Sequence, residues 1–370
     1  VQAAQSGPGQ IATLILPADT AWSDGGEVAP RLPVPARTAV DPETIRAIAQ
    51  ALRTGERAML VMSGPALSEA GLIAAQRVAH VTGAELRCPT QLPRMARGRG
   101  RVPVDRIPYV VDKAMAVLAD IRHVVLVGAK PPTGFFGYPG KPSLLAPADS
   151  VTHVLARPEQ DLVGALNSLA DALGAPGKVE IPQAEAKPQL LNGPFEPVAF
   201  ATTLAALLPE NCIVSEDAVT SGRALLAPTF NAAPHDWVQI TGGAIGQGFP
   251  VATGAALACP DRKVVCLQAD GAGMYTLQAW TQAREKLDVI NVVFANSVYK
   301  ILHGELLAVG AQPGHASNEL FDLSRPDLDW ISLAKGMGVE GVRVDSLESF
   351  ADVFKSACGR RGPFLIEFRI

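Results

Sequence analysis

Asp270 and Asn296 each follow a short apolar segment of the kind that forms a buried strand. Asp270 ends VVCLQAD and precedes Gly271, and Asn296 ends INVVFAN. The residues between the two segments predict a crossover helix, with apolar side chains near helical spacing at Leu277, Trp280, Ala283 and Leu287. A right-handed crossover brings the two strand ends to the same sheet edge. One carboxylate and one amide oxygen are therefore expected to face the same point.

This pair of oxygen ligands suits a hard divalent cation. Magnesium prefers oxygen ligands, keeps some of its water, and is usually held by one or two protein oxygens together with substrate phosphates. Gly271 lets the backbone approach a ligand, and Ala272 and Gly273 offer N–H groups to an anion at the predicted helix start. The motif predicts a site for magnesium and a diphosphate. Two turn residues that merely end strands would explain Asp-Gly alone equally well.

A second glycine cluster, TGGAIGQGFPVATGAA, runs from Thr241 to Ala256 between a predicted strand and an apolar helix. A dinucleotide-binding loop would have the order Gly-x-Gly-x-x-Gly, with an acidic residue about 20 positions later for the ribose. The order here is Gly-x-x-Gly-x-Gly, and the next strand ends at Asp270. The cluster therefore predicts close approach of a ligand, and it disfavours nicotinamide cofactors.

A long segment rich in glycine and proline, KPPTGFFGYPGKPS at residues 130–143, follows the predicted strand HVVLVGA. Ligands of α/β proteins usually bind at this end of a strand. A binding loop and an irregular surface loop both fit this segment.

The elements that would position these residues alternate between strand and helix, which predicts two doubly wound α/β domains with parallel sheets. The 370 residues also exceed one ordinary core. We predict a linker at 26–38, a central domain at 39–175, a second linker at 176–193 and a ligand-binding domain at 194–370. Ile11 to Leu16 read as a buried strand with almost nothing before it to pair with, so residues 1–25 are expected to be the remnant of another domain.

Composition describes a globular protein without nucleic-acid or membrane partners. Hydrophobic residues make up 48% of the chain and charged residues 18%, and the net charge is −4. No apolar run approaches the roughly 20 residues that span a bilayer, and the first residues lack the pattern of a signal peptide, so a cytoplasmic location is expected. The five cysteines have no metal-type spacing and are expected to be small core residues.

The ordered combination of GGAIGQGFPVATGAALACPDRK, ADGAG and ANSVY resembles the thiamine diphosphate enzymes of the acetolactate synthase and benzoylformate decarboxylase type. Members of that family carry a glycine loop, then Gly-Asp-Gly, then Asn-Asn. The resemblance covers nearly the whole chain, to the ending GPFLIEF. It implies thiamine diphosphate and Mg²⁺ as cofactors, a 2-oxo acid as substrate and a homo-oligomer, a dimer or tetramer. Flavin use, which some relatives show, stays undetermined.

The resemblance also implies roles for individual residues. The metal ligands would be the side chains of Asp270 and Asn296 and the backbone oxygen of Val298. The residues expected to hold the cofactor are Ala218 and Val219, Gly271 and Ala272, the helix start near Tyr299, Gly243, whose carbonyl would accept the aminopyrimidine amine, and Ile245, which would bend the cofactor. An ordinary core isoleucine is the alternative for Ile245.

The chain departs from the family pattern at several positions. Ala269 replaces the first glycine of Gly-Asp-Gly, and Ala295 replaces the first asparagine of Asn-Asn. Leu302 stands where members of the pyruvate decarboxylase type carry a glutamate that transfers protons, which disfavours that subclass. His303 and Glu305 fit either a substrate-site acid or base or a solvated helix face.

In this family a glutamate on an N-terminal pyrimidine-binding domain activates the cofactor. Residues 1–25 resemble only the end of that domain, so the catalytic residue is unknown within this chain. We therefore expect a decarboxylase or carboligase, a lyase or transferase, of which this chain is an inactive fragment. The alternatives are one half of a split enzyme and a non-catalytic regulatory or interaction relative.

Overall fold

Two α/β halves, each built on its own sheet, make up the computed structural model, which describes residues 1–182, 188–275 and 277–370. The strands are β1 (Ala58–Met62), β2 (Glu85–Cys88), β3 (Met95–Arg97), β4 (Asp105–Arg106), β5 (His123–Val127), β6 (Val151–Ala156), β7 (Ile213–Asp217), β8 (His235–Gln239), β9 (Val264–Ala269), β10 (Val289–Ala295), β11 (Glu340–Val344) and β12 (Phe364–Arg369).

The helices lie between these strands and at the start of the chain. They are α1 (Gln2–Gln5), α2 (Ala18–Trp22), α3 (Pro42–Leu52), α4 (Glu69–Thr82), α5 (Val111–Leu118), α6 (Leu162–Ala172), α7 (Pro197–Leu207), α8 (Leu226–Thr229), α9 (Gly248–Ala258), α10 (Asp270–Gly273), α11 (Ala279–Arg284), α12 (Lys300–Ala308), α13 (His315–Phe321), α14 (Trp330–Gly336) and α15 (Leu347–Cys358). Two short 3₁₀ turns, Gly64–Leu67 and Ser221–Ala224, follow β1 and β7.

The first sheet has five strands in the order β4-β2-β1-β5-β6, and all its neighbours pair in parallel. Alternate residues of β1 pack into separate clusters on the two faces: Leu60 and Met62 on one, Met59 and Val61 on the other. Because both faces are covered, the strand is apolar throughout.

The second sheet has the order β11-β12-β10-β9-β7-β8-β3. Its pairs are parallel except for β3, which runs antiparallel to β8 at the edge. In β9, Val265 and Leu267 face one apolar cluster, while Val264 and Cys266 face the other. The predicted α/β class with doubly wound, mainly parallel sheets is confirmed.

The first predicted strand is wrong. Ile11 to Leu16 have no regular structure, and Ile11 and Ile15 are 97% and 85% exposed. A strand needs a neighbour for its backbone hydrogen bonds, and within the described residues none pairs with this segment. In contrast, β6 was not predicted, and it forms because β5 offers it an edge.

The predicted crossover helix between β9 and β10 is shorter than its apolar spacing suggests. It is divided into the single turn α10 and the six-residue α11. Trp280 is exposed and lies beneath the Arg284 guanidinium, 4.8 Å from the ring centre. Leu287 is buried, and Leu277 and Ala283 pack against the same apolar cluster, as their spacing suggests. Beside them Gln282 is also buried, where it donates to Thr253 Oγ1 at 3.1 Å and accepts from Asn291 Nδ2 at 2.8 Å.

The domain bounds stay a prediction. In the second predicted linker, 176–193, residues 183–187 lie outside the described residues, and so does residue 276 in the crossover segment. Met95–Arg97 lie within the predicted central domain, yet β3 belongs to the second sheet. Across the described ranges, every helix is too short or too polar to cross a bilayer.

Packing of β3 against β8 buries a histidine. His235 is fully buried, its Nδ1 donates to Ala233 O at 2.7 Å, and its Nε2 has no partner within the described residues. Burial, together with the positive charges of Arg97 and Arg101, lowers the pKa of His235 to about 4.

We expect stability to depend on pH through His235. Because its folded pKa lies below the unfolded value of 6.5, this contribution is complete above pH 6.5 and is lost as the pH falls toward 4. The full loss is about 3 kcal/mol. Urea unfolding of His235→Gln at several pH values should show a shallower decline than the unchanged protein. His315→Gln, at an exposed position, is the control, and equal slopes for all three proteins would contradict the assignment.

Candidate functional site

Four chain segments meet in one cleft at the carboxyl edge of the seven-stranded sheet. They are the segment after β7, the glycine loop after β8, and the ends of β9 and β10. The lining residues are Ala218, Val219, Thr220, Ser221, Ile245, Ala269, Asp270, Gly271, Ala272, Asn296, Val298, Tyr299, Lys300 and Ile301. This edge is where open α/β sheets usually bind ligands.

The Asp270 carboxylate joins two of these segments. Its Oδ1 accepts from the N–H of Gly271 at 2.7 Å, and its Oδ2 accepts from the N–H of Ser297 at 2.7 Å. Asp270 is only 3% exposed, and this burial raises the pKa of its carboxyl, although the Ser297 and Gly271 donors oppose the rise. A nearby cation would favour the ionised form.

Asn296 lies in the same turn as Ser297. Its Oδ1 accepts from the N–H of Val298 at 3.0 Å, so the side chains of Asp270 and Asn296 bind two successive backbone N–H groups. Val298 lies opposite Asp322 in an isolated antiparallel bridge, and its carbonyl accepts from the N–H of Lys300 at 2.8 Å, which leaves one lone pair free for a ligand. The structure thus brings together all three residues that the sequence suggests as metal ligands.

Ser297 holds a left-handed conformation, with φ of 53°, which is strained for a residue with a side chain. Its Oγ donates to Asp327 Oδ1 at 3.1 Å. Arg369, in the last strand, binds Asp327 Oδ2 at 2.5 Å and Glu367 Oε1 at 2.8 Å. Sequence reasoning missed this support, because the residues are far apart in the chain and form no motif.

Gly271 is required by close packing. A Cβ built at this position would lie 2.6 Å from Cε1 of the Tyr299 ring. Tyr299, in turn, is fixed by its N–H, which donates to Phe321 O at 2.9 Å. Val219, which also lines the cleft, has a left-handed φ of 48°. The backbone at and beside the cleft therefore includes two left-handed residues, Val219 and Ser297, and one glycine that close packing requires.

A second buried carboxylate fixes the glycine loop. Asp217 Oδ2 accepts from the N–H groups of Gly246 and Gly248 at 2.8 and 3.2 Å, and from Gln268 Nε2 at 3.0 Å. Burial raises the pKa of Asp217. Sequence reasoning also missed Asp217, although its position at the end of the strand CIVSED offered the same signal as Asp270.

Ile245 and Gly243 occupy different surroundings. Ile245 lines the cleft and is 38% exposed, so the alternative of an ordinary core isoleucine is wrong. Gly243 is not among the residues that line this cleft: a Cβ there would lie 2.5 Å from Phe135 Cζ, in the loop 130–143. Its carbonyl accepts from the Ile245 N–H at 3.1 Å, which leaves a second lone pair for a ligand.

The helix after Tyr299 is not simply solvated. Glu305 is half-buried and accepts hydrogen bonds from Tyr109 and Tyr138, so the solvated-face interpretation is wrong for this residue. His303 packs edge-on against Phe321, with ring centres 4.9 Å apart, and Leu302 is 39% exposed.

The donor set at the cleft fits magnesium better than a transition metal. One carboxylate, one side-chain amide and one backbone carbonyl are hard oxygen ligands. Over residues 1–182, 188–275 and 277–370, no three His, Cys, Asp or Glu side chains lie close enough together to hold a metal ion by themselves.

Comparisons with known proteins place the chain among known sequences. Residues 222–368 match the family model "Thiamine pyrophosphate enzyme, C-terminal TPP binding domain". The chain is 45% identical to "Putative acetolactate synthase large subunit IlvX" of Mycobacterium tuberculosis, over 99% of this chain and 71% of that protein. It is 28% identical to benzoylformate decarboxylase of Pseudomonas aeruginosa, over 52% of this chain and 36% of that protein.

Solved structures share the fold. The thiamine diphosphate-dependent 4-hydroxybenzoylformate decarboxylase of Rhodococcus jostii superposes with a TM-score of 0.73 and 21% identity. The match covers 95% of this chain and 67% of that one. The chain thus spans about two thirds of the solved relative and about a third of the Pseudomonas enzyme.

The strain at Ser297 can be measured with a pair of variants. Ser297→Ala and Ser297→Gly both lose the hydrogen bond to Asp327, but only glycine adopts a positive φ without cost. We expect the glycine variant to be more stable than the alanine variant by about 1 kcal/mol in urea unfolding. Equal stabilities would show that the turn carries no strain.

Proposed function

The chain belongs to the thiamine pyrophosphate enzymes of the acetolactate synthase and benzoylformate decarboxylase type, and on this premise we propose that its cleft binds thiamine diphosphate together with Mg²⁺. The observation that carries the proposal is the pair of Asp270 and Asn296 on successive N–H groups at the sheet edge. The 45% identity to the IlvX protein along almost the whole chain supports it.

In this proposal the metal is held by the side-chain oxygens of Asp270 and Asn296 and by the carbonyl of Val298. A cation beside Asp270 would offset the burial that raises the pKa of this carboxyl. So few protein ligands also require diphosphate oxygens and water to complete the coordination. Metal and cofactor should therefore bind together.

The remaining contacts divide between the two ends of the cofactor. Backbone groups of Ala218, Val219, Gly271 and Ala272 and the turn at Tyr299 surround the diphosphate, and all of these residues line the cleft. The second lone pair of the Gly243 carbonyl accepts from the aminopyrimidine. The exposed Ile245 side chain lies under the bend of the cofactor.

The reaction we propose is decarboxylation of a 2-oxo acid, followed by protonation or by carboligation to a second carbonyl. When bound, thiamine diphosphate supplies a thiazolium carbon that adds to the 2-oxo carbonyl and takes up the electron pair released with carbon dioxide. The residues of this chain bind and orient the cofactor. Benzoylformate and the precursors of acetolactate are both 2-oxo acids, so a panel of these acids decides the substrate.

Activation of the cofactor needs a carboxylate near the aminopyrimidine, and Asp270 is the only carboxylate among the residues that line the cleft. We infer that the activating glutamate comes from a pyrimidine-binding domain outside these residues, and that the active unit is at least a homodimer. Residues 1–370 alone should then bind the cofactor weakly and release no carbon dioxide. Turnover by this chain alone would overturn that inference.

Removal of the Asp270 carboxylate should strongly weaken the Mg²⁺-dependent binding of thiamine diphosphate. We expect Asp270→Ala to weaken thiamine diphosphate binding at saturating Mg²⁺ at least about a hundredfold, since loss of outer-shell partners alone costs 10–100-fold. Isothermal titration of the protein with its pyrimidine-binding domain measures this change. Asp261→Ala, an exposed aspartate on the same half, is the control and should bind normally. Unchanged binding by Asp270→Ala would overturn the metal assignment.

A carbon dioxide release assay on the protein with its pyrimidine-binding domain separates the functional alternatives. The enzyme proposal expects Mg²⁺-dependent turnover of at least one 2-oxo acid. Cofactor binding without turnover of any acid would favour the non-catalytic relative. The absorption spectrum of the same preparation tests whether a flavin is bound.

A further inference from the structure

Helix α12 is weakly packed although it borders the cleft. None of its nine residues, Lys300–Ala308, is buried. Its first two residues, Lys300 and Ile301, nevertheless line the cleft. Most helices in proteins are stabilised by burial of one face, so an exposed helix needs other contacts to keep its place.

Two contacts that hold helix α12 come from the five-stranded half of the molecule. Tyr109 Oη donates to Glu305 Oε1 at 2.9 Å, and Tyr138 Oη donates to Glu305 Oε2 at 2.8 Å. Tyr109 lies between β4 and α5, and Tyr138 lies in the loop between β5 and β6. Both oxygens of one carboxylate on α12 are thus bound by the five-stranded half.

The two phenols are themselves held in an aromatic cluster. The ring of Phe135 lies 5.6 Å from that of Tyr109, and the ring of Phe136 lies 6.2 Å from that of Tyr138. The Arg223 guanidinium lies 5.6 Å from the Tyr109 ring centre. Burial and the hydrogen bonds to Glu305 raise the pKa of both tyrosines, so they stay protonated donors at neutral pH.

The position of Glu305 along the helix connects these contacts to the cleft. Ile301 and Glu305 are four residues apart and therefore lie on the same helix face. The contacts of the first turn are local to the seven-stranded half: Tyr299 N–H donates to Phe321 O, and His303 packs on Phe321. Glu305 therefore lies one helical turn after Ile301, the last residue that lines the cleft, and is bound by the five-stranded half.

We propose that Glu305 is a positioning residue, which Tyr109 and Tyr138 clamp so that helix α12 stays at the mouth of the cleft. The clamp fixes the helix relative to both sheets. Where the cleft binds thiamine diphosphate, it also keeps the wall at Tyr299, Lys300 and Ile301 in place; this second step rests on the proposed function.

Hydrogen–deuterium exchange of the ligand-free protein tests the clamp without reference to function. We expect Glu305→Ala to speed exchange of the amides of residues 302–309 about tenfold, the effect of losing hydrogen bonds to a charged group. Amides of β9 and β10 should not change. The matched control is Glu319→Ala, an exposed acidic residue on the neighbouring helix α13, which forms an ion pair with the exposed His315.

The tyrosines test whether the phenols hold the helix. Tyr109→Phe and Tyr138→Phe each remove one hydroxyl and keep the ring, so each should give part of the change, and the double variant should match Glu305→Ala. Glu305→Gln keeps one carbonyl acceptor and should restore much of the protection. Unchanged exchange in Glu305→Ala, or equal acceleration throughout the chain, would overturn the clamp.

Cofactor titration then tests whether the clamp also keeps the cleft wall in place for the cofactor. If the second step holds, Glu305→Ala should weaken Mg²⁺–thiamine diphosphate binding about five- to tenfold, and Glu305→Gln should bind nearly as tightly as the unchanged protein. Faster exchange with unchanged affinity would retain the clamp and overturn its link to the cleft. Absence of any cofactor binding in the unchanged protein would count against the proposed function, and the exchange result would stand independently.

Discussion

Asp270 is a buried carboxylate that accepts hydrogen bonds from two backbone N–H groups, that of Gly271 in α10 and that of Ser297 in the turn after β10. An unpaired buried charge costs several kcal/mol, so this pairing constrains the position of the Ser297 turn. Ser297 donates its N–H from a left-handed conformation, and its side chain is bound by Asp327, which Arg369 binds in turn. The packing of Tyr299 on Gly271 then closes the same corner. The geometry of this corner of the cleft therefore depends on the hydrogen bonds of one carboxylate.

Asp217 uses the same chemistry at the end of β7, with a different outcome. It is fully buried, and its Oδ2 accepts hydrogen bonds from Gly246, Gly248 and Gln268, which fixes the glycine loop. Asp270 lines the cleft and can share its oxygens with a ligand. Burial raises the pKa of both carboxyls, but only Asp270 is placed where a cation could reverse the effect. Asp217 therefore fixes the glycine loop, whereas the Asp270 carboxylate can also contact a ligand in the cleft.

Local signals in the sequence were sufficient for the parts of the fold that depend on neighbouring residues. The apolar strands that end at Asp270 and Asn296 follow from patterns within a few residues. The strand expected at Ile11–Leu16 failed because pairing is not a local property. The crossover segment is divided into α10 and α11, and the polar partners that Gln282 finds on α9 and β10 also lie beyond what its spacing reveals.

The contacts between the two halves could not be predicted from the sequence either, because they join residues that are far apart in the chain. Glu305 has no special neighbours in the chain, and only the folded loops bring Tyr109 and Tyr138 to it. Phe135 from the same loop fills the space that a Cβ at Gly243 would need. The loop 130–143 therefore contacts both the glycine loop, at Gly243, and, through Tyr138, helix α12. Because both elements also contribute residues to the cleft lining, at Ile245 and at Lys300 and Ile301, the five-stranded half contacts elements of a site whose lining residues all belong to the other half.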